Sequence, residues 1–176
     1  MTRKLEPYIV DTNVAVAADN RAGAGPECVR ACIAALQEIM DGRQLLVVDE
    51  GGQIVSEYRN NLYSQNQPTI GTTFLRWIWT NQYNLSRCSR VAIKPRGSGA
   101  TDYEEFPQHE GLKDFDPADR KFVAVSVAHP DRPVILEATD TKWWGWKSAL
   151  SECGIRVKFL CKAEIAQRYR EKFEKR

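Results

Sequence analysis

Four acidic residues occupy positions from which an α/β protein can build a metal site. Asp11 and Asp140 each follow a short apolar run that is typical of a buried strand. Asp119 begins an apolar, helix-like segment, and Glu57 lies further along another one. Carboxylate oxygens are the ligands that hard divalent cations prefer in proteins, so the chemistry to consider is that of Mg²⁺ or Mn²⁺.

Each of these acids also has an ordinary structural explanation. Asp is a favoured N-cap residue, because its side-chain oxygen accepts from an unpaired N–H in the first turn, and both Asp11 and Asp140 precede helix-like segments. An acid in a first turn, such as Asp119, suits the helix dipole, and Glu57 could be a solvated helix residue. One acid alone therefore decides nothing, and the prediction depends on whether the fold brings the four together.

Strand-like runs alternate with helix-like ones along the whole sequence, which predicts a single domain over residues 1–176. Its predicted class is an α/β three-layer sandwich with a five-stranded, mainly parallel sheet. The predicted strands cover residues 7–10, 44–49, 90–95, 133–138 and 155–160. The predicted helices cover residues 27–42, 52–62, 72–85, 116–130, 141–154 and 162–176.

This order of elements brings the acids to one edge of the sheet. The carboxyl ends of parallel strands face the same way, so Asp11 and Asp140 share an edge, and the helix that Asp119 heads begins there as well. Glu57 can lean over the same edge from its helix. Four carboxylates repel one another unless a cation neutralises them. Asp116 is better explained as a helix cap with Pro117 after it, and Asp49 as a bystander.

Composition places few limits on function. The chain has 176 residues and a formal net charge of +2, which is too weakly basic to indicate a nucleic-acid binder by itself. The sequence begins without the apolar stretch of a signal peptide and has no run of membrane-spanning length. We therefore expect a cytoplasmic protein with no membrane partner.

The five cysteines show no C-x-x-C pair and no zinc-binding spacing. Cys28 and Cys32 are four residues apart on a predicted helix, and the others are scattered. Free cysteine packs like a small hydrophobe, so the sequence predicts buried, reduced thiols.

Four segments, in this order, resemble the motifs of the PIN domains, which are metal-dependent nucleases and include many bacterial toxin ribonucleases. They are V-D-T-N at 10–13, I-V-S-E-Y at 54–58, D-R-K-F-V-A-V-S-V-A at 119–128 and A-T-D at 138–140. The resemblance covers essentially the whole chain and includes two helices between the second and third strands.

The resemblance implies a centre with one or two Mg²⁺ or Mn²⁺ ions, and cleavage that leaves a 5′-phosphate and a 3′-hydroxyl. The metal ligands and catalytic residues that it implies are Asp11, Glu57, Asp119 and Asp140. Asn13 and Thr139 would orient water or a carboxylate without being ligands themselves. It further implies RNA as substrate, a role as toxin or defence effector, and an antitoxin or regulatory protein as partner.

Basic and aromatic residues near these motifs are candidates for nucleic-acid contact. The basic ones are Arg59, Lys94, Arg96, Lys142 and Lys147. Trp143, Trp144 and Trp146 could stack on bases, although we expect at least two of them to pack the helix against the sheet. The aromatic helix around residues 74–83 has enough apolar surface for a homodimer contact.

Several competing functions can be compared with the sequence through the motifs that they require. A haloacid-dehalogenase-type phosphotransferase needs D-x-D after the first strand, where this chain has Asn13. The glycine-rich turn of a dinucleotide fold and the Walker loop are both absent. Two alternatives stay open: a catalytically idle PIN-like module that binds RNA or protein, and a metal-dependent phosphatase. Glu57 separates the nuclease from the idle module, because only the nuclease needs it to face the aspartates.

Overall fold

Five parallel strands form the centre of the fold in a computed structural model that describes residues 4–64, 66–99 and 101–174. The strands are β1 (Pro7–Val10), β2 (Leu45–Asp49), β3 (Cys88–Val91), β4 (Val134–Glu137) and β5 (Val157–Phe159). Their order in the sheet is β3-β2-β1-β4-β5, and every pairing is parallel. The predicted α/β class with a parallel five-stranded sheet is confirmed.

Seven α-helices connect and follow these strands in the described part of the chain. They are α1 (Thr12–Ala18), α2 (Pro26–Met40), α3 (Gln53–Leu62), α4 (Ile70–Asn81), α5 (Arg120–Ala128), α6 (Thr141–Glu152) and α7 (Lys162–Tyr169). Short 3₁₀ turns cover Glu110–Leu112 and Pro117–Asp119, and a π-helical turn, Arg170–Glu174, follows α7. No helix among the described residues is both long and apolar enough to cross a membrane.

Successive strands are added on one side of β1 (β2, then β3) and then on its other side (β4, then β5). This change of direction determines which face of the sheet each helix covers. Right-handed crossovers to β2 and β3 place α1 to α4 on one face, and those to β4 and β5 place α5 and α6 on the other. All four residues of β1 and of β4 are buried, which is why both read as continuous apolar runs. The topological switch point lies at the carboxyl ends of β1 and β4, and open α/β sheets bind their ligands at this point.

Several predicted element boundaries differ from the observed ones, and two elements begin two residues earlier than predicted. The third strand begins at Cys88 rather than at residue 90, because the fully buried Cys88 pairs with Leu46 of β2. The aromatic helix begins at Ile70 rather than at residue 72, because Thr69 caps it by accepting from the Thr72 N–H at 3.1 Å. Neither change moves a predicted site residue.

The long segment between β3 and α5 is held down by buried aromatic rings. Tyr103, Phe106 and Phe115 are each less than 5% exposed, and Tyr103 forms an antiparallel bridge to Pro95. The Phe115 ring meets Trp143 of α6 edge-on at 5.1 Å between ring centroids. This packing fixes the approach of the chain to the turn that carries Asp119.

The expectation of five reduced cysteines is wrong, because Cys28 and Cys161 form a disulfide across 133 positions of sequence. Cys28 lies in the first turn of α2 and Cys161 directly precedes α7. Both helices begin at the carboxyl edge of the sheet, so the fold brings their first turns together. Cys32 remains a buried free thiol beside the pair.

Candidate metal centre

Asp11 directly follows β1 and is only 4% exposed. Its Oδ1 accepts from the Asn13 backbone N–H at 3.0 Å and from Asn13 Nδ2 at 2.9 Å, so Asp11 does cap α1. Both of these bonds go to Oδ1, and the Asp11 carboxyl group also lies within hydrogen-bonding range of the Glu137 carboxyl group. The capping and metal-binding explanations are therefore compatible, because capping uses only one of the two carboxylate oxygens.

Glu137 is a site residue that the sequence prediction missed. It ends β4, is fully buried, and its Oε1 accepts from Asn13 Nδ2 at 2.6 Å and from the N–H groups of Ala138 and Asp140 at 3.0 Å each. Its Oε2 is buried without a partner among the described residues. The available signal was a glutamate inside a strand that is otherwise apolar and buried on both faces.

Asn13 joins the two strand ends that carry these acids. Its Nδ2 donates to both Asp11 and Glu137, and its Oδ1 accepts from the N–H groups of Ala138 at 3.0 Å and Thr139 at 3.3 Å. Asn13 thus orients both carboxylates at once. Thr139 contributes its backbone N–H to this network.

Asp119 is the last residue of its 3₁₀ turn and directly precedes α5. Its Oδ2 accepts from Nε1 of the fully buried Trp143 at 3.2 Å, so this tryptophan packs in the core and does not stack on a ligand. Burial, together with the nearby carboxylates of Asp116 and Asp140, raises the pKa of Asp119 to about 6. Asp119 therefore needs a cation beside it to stay fully ionised near pH 6.

Asp140 precedes α6, and its Oδ1 accepts from the Lys142 N–H at 2.9 Å. Asp116 caps the 3₁₀ turn, as predicted, through the Ala118 N–H, and its other oxygen pairs with Lys142 Nζ at 3.1 Å. The negative charge of the Asp140 carboxylate helps to raise the pKa of both Glu137 and Asp119.

Glu57 faces the other acids from α3. Its Oε1 accepts from Thr12 Oγ1 at 2.6 Å, and its charge contributes to the raised pKa of Asp11. Its Oε2 forms an ion pair with Lys121, whose ammonium also donates to the Ala118 carbonyl. Lys121 is only 7% exposed, and the sequence prediction had missed this buried cation because it lies in an apolar helix.

We call Asp11, Glu57, Asp119, Glu137 and Asp140 the carboxylate cluster. Burial raises the pKa of both Asp11 and Glu137 well above the ordinary carboxyl value. The charges of Asp119 and Glu57 raise the pKa of Asp11 further, and those of Asp11 and Asp140 raise that of Glu137. Lys121 brings one positive charge to the cluster. The remaining negative charge has to be met by protons or by a bound cation.

The cluster suits a hard divalent cation by its chemistry. All its potential ligand atoms are oxygens, the two N–H donors to Asp11 both use the same one of its oxygens, and one buried oxygen of Glu137 has no partner among the described residues. Among the described residues, no three carboxylates have ligand atoms within 4.8 Å of one another. The described carboxylates therefore form no ready-made cage for a cation, and a hard divalent ion placed among them would have to keep several waters and bind one or two carboxylates directly.

The five basic residues that were predicted to contact nucleic acid differ in their exposure and in their partners within the protein. Arg59 is exposed on α3 and forms no ion pair with a described residue. Lys94 is exposed with an acid at 3.9 Å, and Arg96 is half-buried with an acid at 3.4 Å. Lys142 pairs with Asp116, and the ammonium of Lys147 lies 4.5 Å from the ring centroid of a tryptophan.

The two other tryptophans of α6 also have packing partners. Trp146 lies 4.4 Å from the Phe115 ring and Trp144 5.1 Å from the Phe159 ring, both measured between ring centroids. With Trp143 fully buried, the expectation that at least two of the three pack within the fold is confirmed.

No family model, curated protein or solved structure gives a significant match to this chain. The PIN-domain resemblance thus stays a prediction from four short segments. The geometry adds an observation that is independent of the resemblance: a cluster of buried and half-buried acids lies at the switch point of a parallel sheet.

Proposed function

We propose that this protein is a metal-dependent nuclease, most simply a ribonuclease of PIN-domain type. The observation that carries the proposal is the convergence of the carboxylate cluster on one edge of the sheet, with the pKa of Asp11, Asp119 and Glu137 raised. The orientation of Glu57 toward Asp11 favours the nuclease over an idle module. A toxin or defence role belongs to the same proposal.

The side chains divide the work between them. Asp11, Asp119 and Asp140 would hold Mg²⁺ or Mn²⁺ directly or through water, and Glu137 would take part through its unpartnered oxygen. When bound, such a cation lowers the pKa of its water and stabilises charge on a phosphodiester. Asn13 fixes the orientation of two of these carboxylates, since it donates to both.

Lys121 supplies a positive charge from the protein itself. Its ammonium is buried against Glu57, on the α3 side of the cluster. A second divalent ion bound there would meet this fixed charge at close range. We therefore favour a centre with one divalent ion, in which the ammonium of Lys121 helps to neutralise the scissile phosphate.

An open groove beside Glu57 offers a path for the nucleic-acid strand. It has a volume of about 430 Å³ and runs between α3, residues 101–103 and the turn before α5. Gln53, Ser56 and Asn60 line it, and their amide and hydroxyl groups suit a sugar–phosphate backbone. The groove leads to Lys121 and so to the carboxylate cluster.

One observation favours the second candidate, a module that binds RNA or protein without cleaving it. The Glu57–Lys121 ion pair satisfies one of the four predicted catalytic acids without any metal. A site that never bound a cation would be expected to keep such internal pairs. Within the described residues, no other acid of the cluster forms an ion pair, which is why the nuclease remains the better proposal.

The deciding experiment incubates the pure protein with end-labelled single-stranded RNA and DNA, in Mn²⁺, in Mg²⁺ or in EDTA. We expect RNA cleavage with a metal, 5′-phosphate products, and a loss of about 1,000-fold or more in Asp11→Asn. Asp41→Asn, which changes an exposed aspartate paired with Arg43, is the matched control and should cleave normally. If folded wild type binds RNA but cuts neither polymer in any metal, the binding module replaces the nuclease.

A further inference from the structure

Three cysteine sulfurs meet at the start of α2 and α7. Those of Cys28, Cys32 and Cys161, the three-cysteine cluster, all lie within 4.8 Å of one another, and all three residues are buried. Among the described residues this is the one group of three or more potential metal ligands so closely placed. Cys28 and Cys32 lie one turn apart on α2, so a rigid helix sets two of the three positions.

Reagents from solution can reach the bonded pair. Cys28 and Cys161 line an open cavity of about 310 Å³ together with Lys162 and Glu164. Cys32 lies behind them and is fully buried. Burial, with the negative charges of Glu137 and Glu164, raises the pKa of Cys32 to about 12, so it remains a thiol and does not attack the neighbouring disulfide.

Reduction would free two sulfurs that lie at helix N-termini. Cys28 lies in the first turn of α2 and Cys161 is the N-cap of α7, and neither helix has a side-chain cap on its first N–H groups. Helix N-termini stabilise cysteine thiolates. Lys162 adds a positive charge at the same end of α7.

We propose that the three-cysteine cluster is a redox-gated site for one thiophilic cation such as Zn²⁺. The disulfide closes the site because it occupies two of the three sulfurs. Zn²⁺ binds thiolate at about 2.3 Å in tetrahedral geometry, which separates the sulfurs by about 3.8 Å. The bonded sulfurs of Cys28 and Cys161 would move apart to this separation on reduction, and each already lies within 4.8 Å of the Cys32 sulfur. The cavity leaves the fourth position open to water.

The chemistry balances with an external dithiol as reductant. Thiolate attack on the Cys28–Cys161 bond gives a mixed disulfide, and the second thiol of the reagent resolves it. The protein gains two electrons and two protons, and the reagent becomes a cyclic disulfide. The cation then displaces the protons of the three thiols and binds three thiolates.

The test compares oxidised and reduced full-length protein, with the reductant removed under anaerobic conditions. Cd²⁺ is the probe, because cadmium–thiolate charge transfer absorbs in the ultraviolet and oxygen ligands give no such band. We expect one Cd²⁺ per reduced chain with this absorption, displacement by Zn²⁺, and no such band from the oxidised chain. Mass spectrometry before and after reduction follows the disulfide itself.

Variants separate this site from the other thiols and from the carboxylate cluster. Cys32→Ser should keep the disulfide and lose at least about 100-fold in Cd²⁺ affinity when reduced. Cys88→Ser, which changes another fully buried free cysteine, should bind like wild type. Asp11→Asn should also keep the charge-transfer band, so the outcome does not depend on the proposed nuclease.

Four results would overturn the proposal. They are a reduced wild type without the band, an oxidised chain that binds as well as the reduced one, a Cys32→Ser variant with undiminished affinity, and a Cys88→Ser variant that loses affinity equally. Far-ultraviolet circular dichroism of each reduced sample confirms that the chain is folded. A disulfide that no dithiol reduces in the folded protein would equally rule out the gate.

Discussion

The carboxylate cluster and the three-cysteine cluster lie at the same edge of one sheet, yet they affect stability in opposite directions. Buried acids that repel one another cost free energy of folding until a proton or cation neutralises them. A disulfide between the first turns of α2 and α7 restricts the unfolded chain and adds stability. The Leu160 N–H, next to Cys161, bonds to the Glu137 carbonyl at 2.9 Å, so the two regions are adjacent. Two adjacent regions can therefore have different roles: the carboxylate cluster suits the binding of a charged ligand, and the disulfide stabilises this edge of the sheet.

The largest expected effect is the loss of the cross-link. The double variant Cys28→Ser, Cys161→Ser should lose about 2–5 kcal/mol of unfolding free energy in urea without reductant, because the bond joins residues far apart in sequence. A dithiol should destabilise wild type and leave this variant unchanged. Cys153→Ser, which changes a half-buried free thiol, is the control. Equal stability of wild type with and without reductant would show that the bond contributes nothing.

The next effect is the pH dependence of the metal-free protein. Asp119 has a folded pKa of about 6 against an ordinary value of 3.8, so its neutral form is favoured by folding. Its contribution to stability is complete below about pH 4 and is lost as the pH rises through 6, which amounts to roughly 3 kcal/mol at most. The raised pKa values of Asp11 and Glu137 act in the same direction.

Urea unfolding in EDTA at pH 4.5, 5.5, 6.5 and 7.5 measures this effect. Asp119→Asn should be more stable than wild type at pH 7.5, and the difference should shrink toward pH 4.5. Asp131→Asn is a control of opposite sign, since Lys4 lowers the pKa of Asp131 and its contribution is lost as the pH falls. If Asp119→Asn is less stable than wild type at pH 7.5, the carboxylate cluster is not repulsive and the comparison fails.

A smaller effect is expected on metal affinity when Glu137, the one acid of the carboxylate cluster that the sequence did not predict, is changed. Glu137→Gln keeps an oxygen that can accept the three N–H bonds now made to Oε1, so the fold should survive. The loss of the second, unpartnered oxygen should weaken Mn²⁺ binding by about 10- to 100-fold. Calorimetric titration with Mn²⁺ measures this, with the exposed Glu50→Gln as control. Unchanged affinity would mean that Glu137 serves only to anchor Asn13.

The sequence predicts the parts of the site that local pattern determines. Asp11 and Asp140 could be identified because each follows an apolar strand, and parallel strands end at one edge. Asp116 could be identified as a cap from the Pro117 that follows it. The fold class followed in the same way from the alternation of strands and helices.

The remaining parts depend on tertiary structure that no local pattern reveals. Glu137 and Lys121 lie within apolar segments, where a charged residue looks like an interruption until its partners are known. The Cys28–Cys161 bond forms because two crossovers return to one edge, and a spacing of 133 residues carries no signal of that. Sequence thus located the centre of the carboxylate cluster but not the groups that balance its charge.

The smallest effect concerns the strand that the carboxylate cluster would cut. Arg59 lies two residues after Glu57, is exposed, and has no ion-pair partner among the described residues, so its guanidinium is available to a phosphate. Arg59→Ala should weaken single-stranded RNA binding a few-fold and reduce the slope of log affinity against log salt by about 0.7. Arg30→Ala, an exposed arginine of α2 with Glu27 at 3.8 Å, is the matched control and should change neither quantity. Binding is measured with Ca²⁺ or EDTA in place of Mn²⁺, so that the RNA is not cleaved. If neither arginine variant changes the affinity, the RNA does not bind along α3, and the proposed cleavage chemistry is unaffected by that result.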